Sequence, residues 1–332
     1  MTAPRILFLG HNKEDYLSDG LFHGLHTLIG EGVVDYPKRE IAYASYPPEA
    51  RRRLRGRGFT LYGLLEDVPV DRTKVPERLA EGEFDLAVFG DIWRDFGLYV
   101  ESLAALRRLA AAGRTRVAIV DGTDSPALYP YGPRFWRVAS WWGLPRAHTR
   151  FRYFKREWRG WTRALAGGSL RRVRGIAMSI PEEKIVTAPP GKDKDWPLHI
   201  VDPEVARKVG GRTAYGFDDE DGYFADLRRS RFGVTTMRAG WDCLRHYEIA
   251  ASGAVPCFRA LARKPATNAP HGLHAGNCIP YASWRDLREK VAAIDDTRYA
   301  ALQCGALHWA RANSTRARAL AFLRAMEMEP DA

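Results

Sequence analysis

The sequence has no long hydrophobic run and few cysteines, and each absence excludes a class of protein. No stretch of about 18 apolar residues occurs, and the N-terminal run RILFLG is too short for a signal peptide. The four cysteines form no Cys-x-x-Cys pair, so we expect a reducing compartment and no disulfide framework. The composition has no bias typical of a disordered or fibrous chain. We expect a folded cytoplasmic protein, with peripheral contact at the inner face of the membrane as a further expectation.

The chain carries a clear excess of positive charge. It has 51 Lys and Arg residues against 40 Asp and Glu residues, a formal net charge of +11. This excess predicts an anionic partner, which includes nucleotides, nucleic acid, phospholipids and phosphorylated glycans. Its 332 residues exceed the usual size of one hydrophobic core, so we expect two domains.

Strand and helix patterns alternate in the N-terminal half. The apolar runs ILFLG (6–10), FDLAVFG (84–90) and RVAIVDG (116–122) end in Gly or Asp, as buried parallel strands do. Helical spacing lies between them, with one helix predicted to stop at Gly30 and another at Gly113. This alternation predicts an α/β domain.

Residues 167–197 concentrate Gly, Pro and charge, which predicts that the chain crosses between two domains there. We assign residues 1–175 to an N-terminal α/β domain and 176–332 to a second α/β domain that ends in a helix. Two Rossmann-like domains that face each other place the carboxyl ends of both sheets at a central cleft. Open α/β sheets bind their ligands at such ends.

A helix predicted within residues 231–258 carries Arg245 and Glu248 on one face, at i and i+3. It follows Arg238 and Gly240, so its N–H groups and the positive end of its dipole are available to an anion. Arginines suit a diphosphate, and a carboxylate suits the two hydroxyls of a ribose. The segment therefore predicts a nucleotide site, although the spacing alone is more typical of a solvated ion pair on a helix surface.

The sequence YFADLRRSRFGVTTMRAGWDCLRHYEIAASGAVPCF resembles the donor-binding segment of exostosin-like and spore-maturation-type glycosyltransferases of the GT-B fold, and the resemblance covers residues 220–290. It implies sugar transfer from a nucleotide-sugar to a hydroxyl acceptor. It also implies Glu248 at the donor ribose, with Arg238 or Arg245 at the diphosphate. The residues that match the family pattern are Tyr223, Ser230, Arg231, Arg245, Glu248 and Gly253 to Pro256.

The N-terminal half is similar to the acceptor domain of bacterial glycosyltransferase-like proteins through DYLSDGLFHGLHTLIG, FDLAVFGDIW, VDGTD and YFKRE. One position departs from the pattern of many retaining GT-B enzymes. They have a second Glu seven residues before the ribose Glu, where this chain has Trp241. Inversion or retention at the sugar therefore stays open.

Two loops at predicted strand ends offer a general base for the acceptor hydroxyl. His11 and Asp15 lie in GHNKED, directly after the first strand, and Asp121 and Asp124 lie in VDGTD. Either loop has a simpler explanation, since exposed loops are commonly solvated and Asp beside Gly commonly forms turns. We predict that the base is one of these four residues.

Residues 134–174 combine arginines and lysines with tryptophans, and this predicts an acceptor-binding or surface patch. Such a patch suits an anionic membrane, a phosphorylated acceptor or single-stranded nucleic acid. Alternatively, the tryptophans belong to the core and the arginines to a solvated face. The residues that we assign to the patch are Arg152, Lys155, Arg156 and Trp158.

We expect no metal and no cofactor, and the nucleotide-sugar is expected as the donor substrate. His271, His274 and Cys278, with Cys257 upstream, fit no standard zinc spacing. The expected acceptor is a cell-envelope glycan or a lipid-linked saccharide. Two alternatives stay open. One is a sugar transferase that modifies DNA, and the other is a non-enzymatic protein that binds nucleic acid or a membrane surface.

Overall fold

The computed structural model describes residues 3–129, 147–158 and 172–328, which belong to two compact units. The first unit combines Met1–Ala177 with Arg318–Ala332, and the second is Met178–Ala317. The first crossing between the units therefore falls within residues 167–197, where Gly, Pro and charge are concentrated. The C-terminal tail from Arg318, predicted to belong to the second domain, returns to the first unit.

The first unit contains a parallel sheet of six strands in the order β2-β1-β3-β4-β5-β6. Each of the three predicted apolar runs contains one of these strands. Residues of β1 and β3 are buried throughout, because helices cover both faces of the sheet. The strands are β1 Ile6–Leu9, β2 Val33–Tyr36, β3 Leu86–Phe89, β4 Arg116–Asp121, β5 Arg152–Lys155 and β6 Val173–Gly175.

Helices α1 (Tyr16–Ile29) and α4 (Phe96–Ala111) cover opposite faces of this sheet. The apolar residues of α1 pack with Ile6 and Phe8, and those of α4 pack with Leu7 and Leu9. Gly30 ends α1 as predicted, at a φ of 64° that favours glycine. Two shorter helices of this unit are α2 (Pro48–Arg51) and α3 (Val75–Glu81).

The second unit contains the parallel strands β7 (Phe232–Thr235), β8 (Val255–Arg259) and β9 (Ile279–Tyr281), in that order. Within the described residues, no helix is both long enough and apolar enough to span a membrane. The helices of this unit are α5 (Pro203–Val209), α6 (Glu220–Arg229), α7 (Leu244–Ala251), α8 (Trp284–Ala292) and α9 (Asp296–Ala312).

The last helix, α10 (Thr315–Ala325), packs on the sheet of the first unit. The ring of Phe322 lies 4.8 Å from that of Phe154 on β5, and Leu323 is fully buried in the same cluster. Burial of these side chains explains why the tail leaves the second unit, because each fully buried Phe or Leu stabilises the fold by about 1.5–3 kcal/mol.

Candidate functional site

In the first unit, two strand ends bring a histidine and a carboxylate together. His11 follows β1 and Asp91 follows β3, and the carboxyl ends of these paired strands lie at the same edge of the sheet. His11 Nε2 donates to Asp91 Oδ2 at 3.1 Å, and Nδ1 accepts from the Lys13 amide at 3.0 Å. The carboxylate thus fixes the tautomer and orientation of a mostly buried imidazole. Asp91 was not among the predicted site residues, although it lies at a strand end within FDLAVFGDIW.

Asp15 forms the N-cap of α1 and accepts hydrogen bonds from the Leu17 and Ser18 amides. Burial, with the neighbouring Asp91 carboxylate, raises the pKa of Asp15 to about 6. A Cβ atom added at Gly122 would lie only 2.8 Å from Asp15 Oδ1. The loops after β1 and β4 therefore meet at Asp15.

Asp121, at the end of β4, is fully buried and accepts three side-chain hydrogen bonds. Lys155 Nζ donates at 2.8 Å, Thr123 Oγ1 donates at 2.7 Å, and the Tyr153 hydroxyl also donates. Burial lowers the pKa of Lys155, although the Asp121 carboxylate opposes this effect. This network cross-links β4 and β5. Asp124, by contrast, is 46% exposed and pairs with Arg156.

The residues assigned to a surface patch are mostly not at the surface. Relative exposure is 0% for Lys155, 2% for Arg156 and 8% for Trp158, because β5 is an interior strand of the sheet. Arg152 is half-buried and pairs with Glu327. The surface interpretation is therefore wrong for Lys155, Arg156 and Trp158, and acceptor binding at these positions stays a prediction. Most other residues of 134–174 lie outside the described ranges.

We expect Lys155→Met to destabilise the protein by about 3–5 kcal/mol, because the variant leaves the Asp121 carboxylate buried without its cation. The double variant Lys155→Met/Asp121→Asn removes both charges and should recover part of this loss. Chemical denaturation of the three proteins measures the effect. Equal stability of wild type and Lys155→Met would show that the ion pair contributes little.

In the second unit, a buried histidine holds the loop between β7 and α7. His246 is fully buried, and its Nδ1 accepts from Thr235 Oγ1 at 2.8 Å while its Nε2 donates to the Trp241 carbonyl at 2.8 Å. Both ends of the loop are therefore tied to one side chain. The loop leaves Arg238 exposed and Gly240 buried. Its conformation depends on tertiary contacts rather than on the exposed arginine.

Glu248 on α7 lies beside a tyrosine of α6. The Tyr223 hydroxyl donates to Glu248 Oε2 at 2.5 Å, and Glu248 is 8% exposed. Burial lowers the pKa of the partly exposed Arg245, but Tyr223 and Glu248 are among the groups that raise it above its ordinary value. The structure thus brings together three residues of the predicted donor motif. An exposed Arg245–Glu248 ion pair, the simpler alternative, does not describe this buried carboxylate.

The N-cap residue of α7 is Cys243, whose side chain makes no capping hydrogen bond. A thiol is a weak acceptor in comparison with the Ser, Thr, Asn or Asp that usually occupies this position. The first-turn amides of α7 therefore lack a side-chain oxygen from the cap residue. Together with Arg245 in the first turn of α7, this helix start favours an anion.

His199 is a buried polar group near the predicted donor site, and no sequence pattern selects it. Its Nδ1 donates to the Ala214 carbonyl at 3.1 Å, so the neutral ring carries its lone pair on Nε2. Burial and the nearby Arg245 lower its pKa to about 4. In the part of the chain that the structure describes, Nε2 is buried and has no hydrogen-bond partner. The ring contacts Tyr215, whose own ring contacts Tyr223.

The described residues contain no group of three or more His, Cys, Asp or Glu side chains placed to hold a metal ion. His274, one member of the zinc set considered above, accepts a hydrogen bond from the Gly276 amide at Nδ1, 3.0 Å away. Cys278 is buried, and burial raises the pKa of its thiol to about 12. This thiol therefore stays protonated near neutral pH.

No protein-family model matches this sequence, and no curated protein matches it. Solved structures are similar over nearly the whole chain. Anabaena Alr3699/HepE in complex with UDP and glucose is 11% identical with a TM-score of 0.54, covering 98% of this chain and 99% of that one. A glycosyltransferase from Rickettsia africae ESF-5 is 8% identical with a TM-score of 0.51, covering 97% of each chain. The chain therefore has the GT-B fold, with two Rossmann-like α/β units, as these proteins do.

Proposed function

We propose that this protein is a glycosyltransferase that moves a sugar from a nucleotide-sugar to a hydroxyl acceptor. The observation that carries the proposal is the buried Glu248–Tyr223 pair beside Arg245, at the start of a helix without an oxygen cap. The solved structures of HepE with UDP and glucose and with UDP-glucose share the fold and support a nucleotide-sugar as donor. Resemblance to exostosin-like and spore-maturation-type enzymes supports the same site.

In the proposed donor complex, the second unit binds the nucleotide. The start of α7 and the arginines Arg238 and Arg245 offset the charge of the diphosphate, and Glu248 accepts hydrogen bonds from the ribose hydroxyls. His199 Nε2 would accept one further hydrogen bond from an N–H or O–H of the donor. A buried acceptor without a partner costs about 1–3 kcal/mol, so a ligand that satisfies it gains affinity.

The first unit would supply the general base, for which we favour His11. Its Nδ1 takes the proton of the acceptor hydroxyl once that hydroxyl replaces the Lys13 amide, and Asp91 stabilises the resulting imidazolium. The acceptor oxygen then bonds to the anomeric carbon as the bond to the diphosphate breaks. Asp15, with its raised pKa, is the second candidate for the base. Asp121 is a weaker candidate, because its carboxylate already accepts hydrogen bonds from three side chains.

The proposed acceptor is a cell-envelope glycan or a lipid-linked saccharide, in keeping with the net charge of +11. We propose that transfer needs no metal ion, because the helix dipole and arginines supply positive charge where the leaving group gains negative charge. Asp124, in the loop after β4, and Arg156, directly after β5, are candidates to contact the hydroxyls of the acceptor.

Thermal unfolding with UDP, GDP, TDP, ADP and CMP tests the proposed function. A nucleotide at 100 times its Kd should stabilise the native protein by about 2.7 kcal/mol. We expect one diphosphate, UDP first among them, to raise the melting temperature with EDTA present. If none of the five does so, the protein does not bind a donor nucleotide at this site and the proposal fails.

A further inference from the structure

The first unit contains an arginine-lined groove beside β4, β5 and β6. Two adjoining cavities of about 640 and 720 Å³ share the walls formed by Arg150, Phe151 and Arg172. One extends along the second half of α4, and the other reaches Met326 beyond the end of α10. We call this feature the arginine groove, and its arginines include Arg107, Arg116, Arg150, Arg152, Arg172 and Arg174.

Strand register arranges three of these arginines in a row. Arg152 pairs with Ala118, two residues beyond Arg116 on β4, and Arg174 pairs with Phe154, two residues beyond Arg152 on β5. All three therefore lie on the same face of the sheet, one strand and two residues apart. Strand spacing of about 4.8 Å and a rise of about 3.3 Å per residue separate neighbouring Cα atoms by roughly 8 Å. The cations form a line rather than a single cluster.

Most of these cations have no acidic partner among the residues that the structure describes. In the described part of the chain, Arg152 pairs with Glu327, but the other five named arginines form no ion pair. All five are exposed. Acidic residues near the neighbouring strands are already paired, as Glu83 is with Arg5 and Arg78. The groove therefore keeps a local excess of positive charge, which a polyanion would neutralise.

The lining of the groove distinguishes among polyanions. Its large apolar side chains, Phe151, Val117 and Met326, are at most 5% exposed, so the described lining offers no ring that could stack on a base. A membrane-binding surface inserts exposed apolar side chains, and Phe96 and Val100, which are exposed on α4, do not line the groove. Guanidinium forks in a line match the oxygens of successive phosphates.

We propose that the arginine groove binds an extended phosphodiester-linked chain of sugars or polyols. The groove is separate from the candidate chemistry, since Arg116 begins β4 and Asp121 ends it, about 16 Å further along the strand. The inference does not depend on sugar transfer. A protein that fails to bind nucleotides could still bind such a chain, and the reverse also holds.

Fluorescence anisotropy with labelled poly(glycerol phosphate) tests the proposal. We expect the double variant Arg150→Glu/Arg172→Glu to bind the polymer at least about tenfold more weakly. The slope of the logarithm of the binding constant against the logarithm of the salt concentration should become shallower by about 1.4, the value for two phosphate contacts. The matched control is Arg207→Glu/Arg288→Glu, which makes the same charge change at two exposed arginines of the second unit that form no ion pair with any described residue. Melting temperatures check that both variants fold.

Three results would overturn the proposal. Equal loss of affinity in both double variants would show a diffuse charge effect rather than a groove. Tighter binding of a single-stranded oligonucleotide of equal charge would indicate nucleic acid. Binding to vesicles of phosphatidylglycerol and phosphatidylcholine, without binding to poly(glycerol phosphate), would indicate a membrane surface.

Discussion

Replacing Glu248 with Ala should weaken binding of the donor nucleotide roughly 10- to 100-fold, because hydrogen bonds to charged groups contribute about 1.5–3 kcal/mol each. For a 100-fold loss, stabilisation at 100 times the wild-type Kd falls from about 2.7 to about 0.4 kcal/mol. Isothermal titration with the nucleotide that stabilises the wild type measures the change. The effect should be large because Glu248 is buried and Tyr223 holds its position.

Two further variants separate ribose binding from folding. Glu248→Gln keeps a carbonyl that can accept from Tyr223, so the variant should fold, yet it loses the charge and should bind more weakly than wild type. Glu289→Ala changes an exposed glutamate on α8 and should leave the affinity unchanged. Full nucleotide affinity in Glu248→Ala would contradict the donor-site assignment.

Replacing His11 with Ala should lower kcat by roughly 10²–10⁴ while the nucleotide affinity stays unchanged. The reason is that His11 lies in the first unit, oriented by Asp91, whereas the proposed nucleotide contacts all lie in the second. Asp91→Asn should give a smaller loss, since an amide can still accept from Nε2 but cannot stabilise an imidazolium. Steady-state transfer rates at saturating donor measure both effects.

Asp15→Asn distinguishes the second candidate base. Asparagine also caps helices well, so α1 should persist in the variant. The pKa of Asp15 is about 6, so if Asp15 were the base, activity would rise through pH 6 as the carboxyl deprotonates. This rise of activity through pH 6 would be absent in Asp15→Asn. Normal activity in His11→Ala, with loss in Asp15→Asn, would reassign the base. The matched control for His11→Ala is His308→Ala, which replaces an exposed histidine on α9.

Local patterns predicted much of the fold. The runs at 6–10, 84–90 and 116–122 contain β1, β3 and β4, and the helix predicted to stop at Gly30 does so. The resemblance in residues 220–290 selected Tyr223 and Glu248. The structure places the Tyr223 hydroxyl 2.5 Å from Glu248 Oε2. These features depend on apolar periodicity and glycine stops, which act over a few residues and are visible in the sequence.

Burial was harder to predict than secondary structure. The segment RYFKREW is rich in charged residues, which are usually exposed, so the sequence predicts a surface patch that includes Lys155 and Arg156. The sheet order places β5 between β4 and β6 instead, and Lys155 meets Asp121 there. The buried ion pair forms because β4 and β5 are neighbours in the sheet. The order of charges along the sequence does not reveal which strands are neighbours.

The sequence by itself determined the α/β class, the positive charge and the segment in which a donor site is expected. Only the tertiary structure decided which distant residues meet. His11 and Asp91 are 80 positions apart, Asp121 and Lys155 are 34 apart, and α10 packs on a sheet whose strands precede it by more than 100 residues. Local preferences act within a few bonds, whereas these contacts exist because strand order and burial of apolar side chains bring remote segments together.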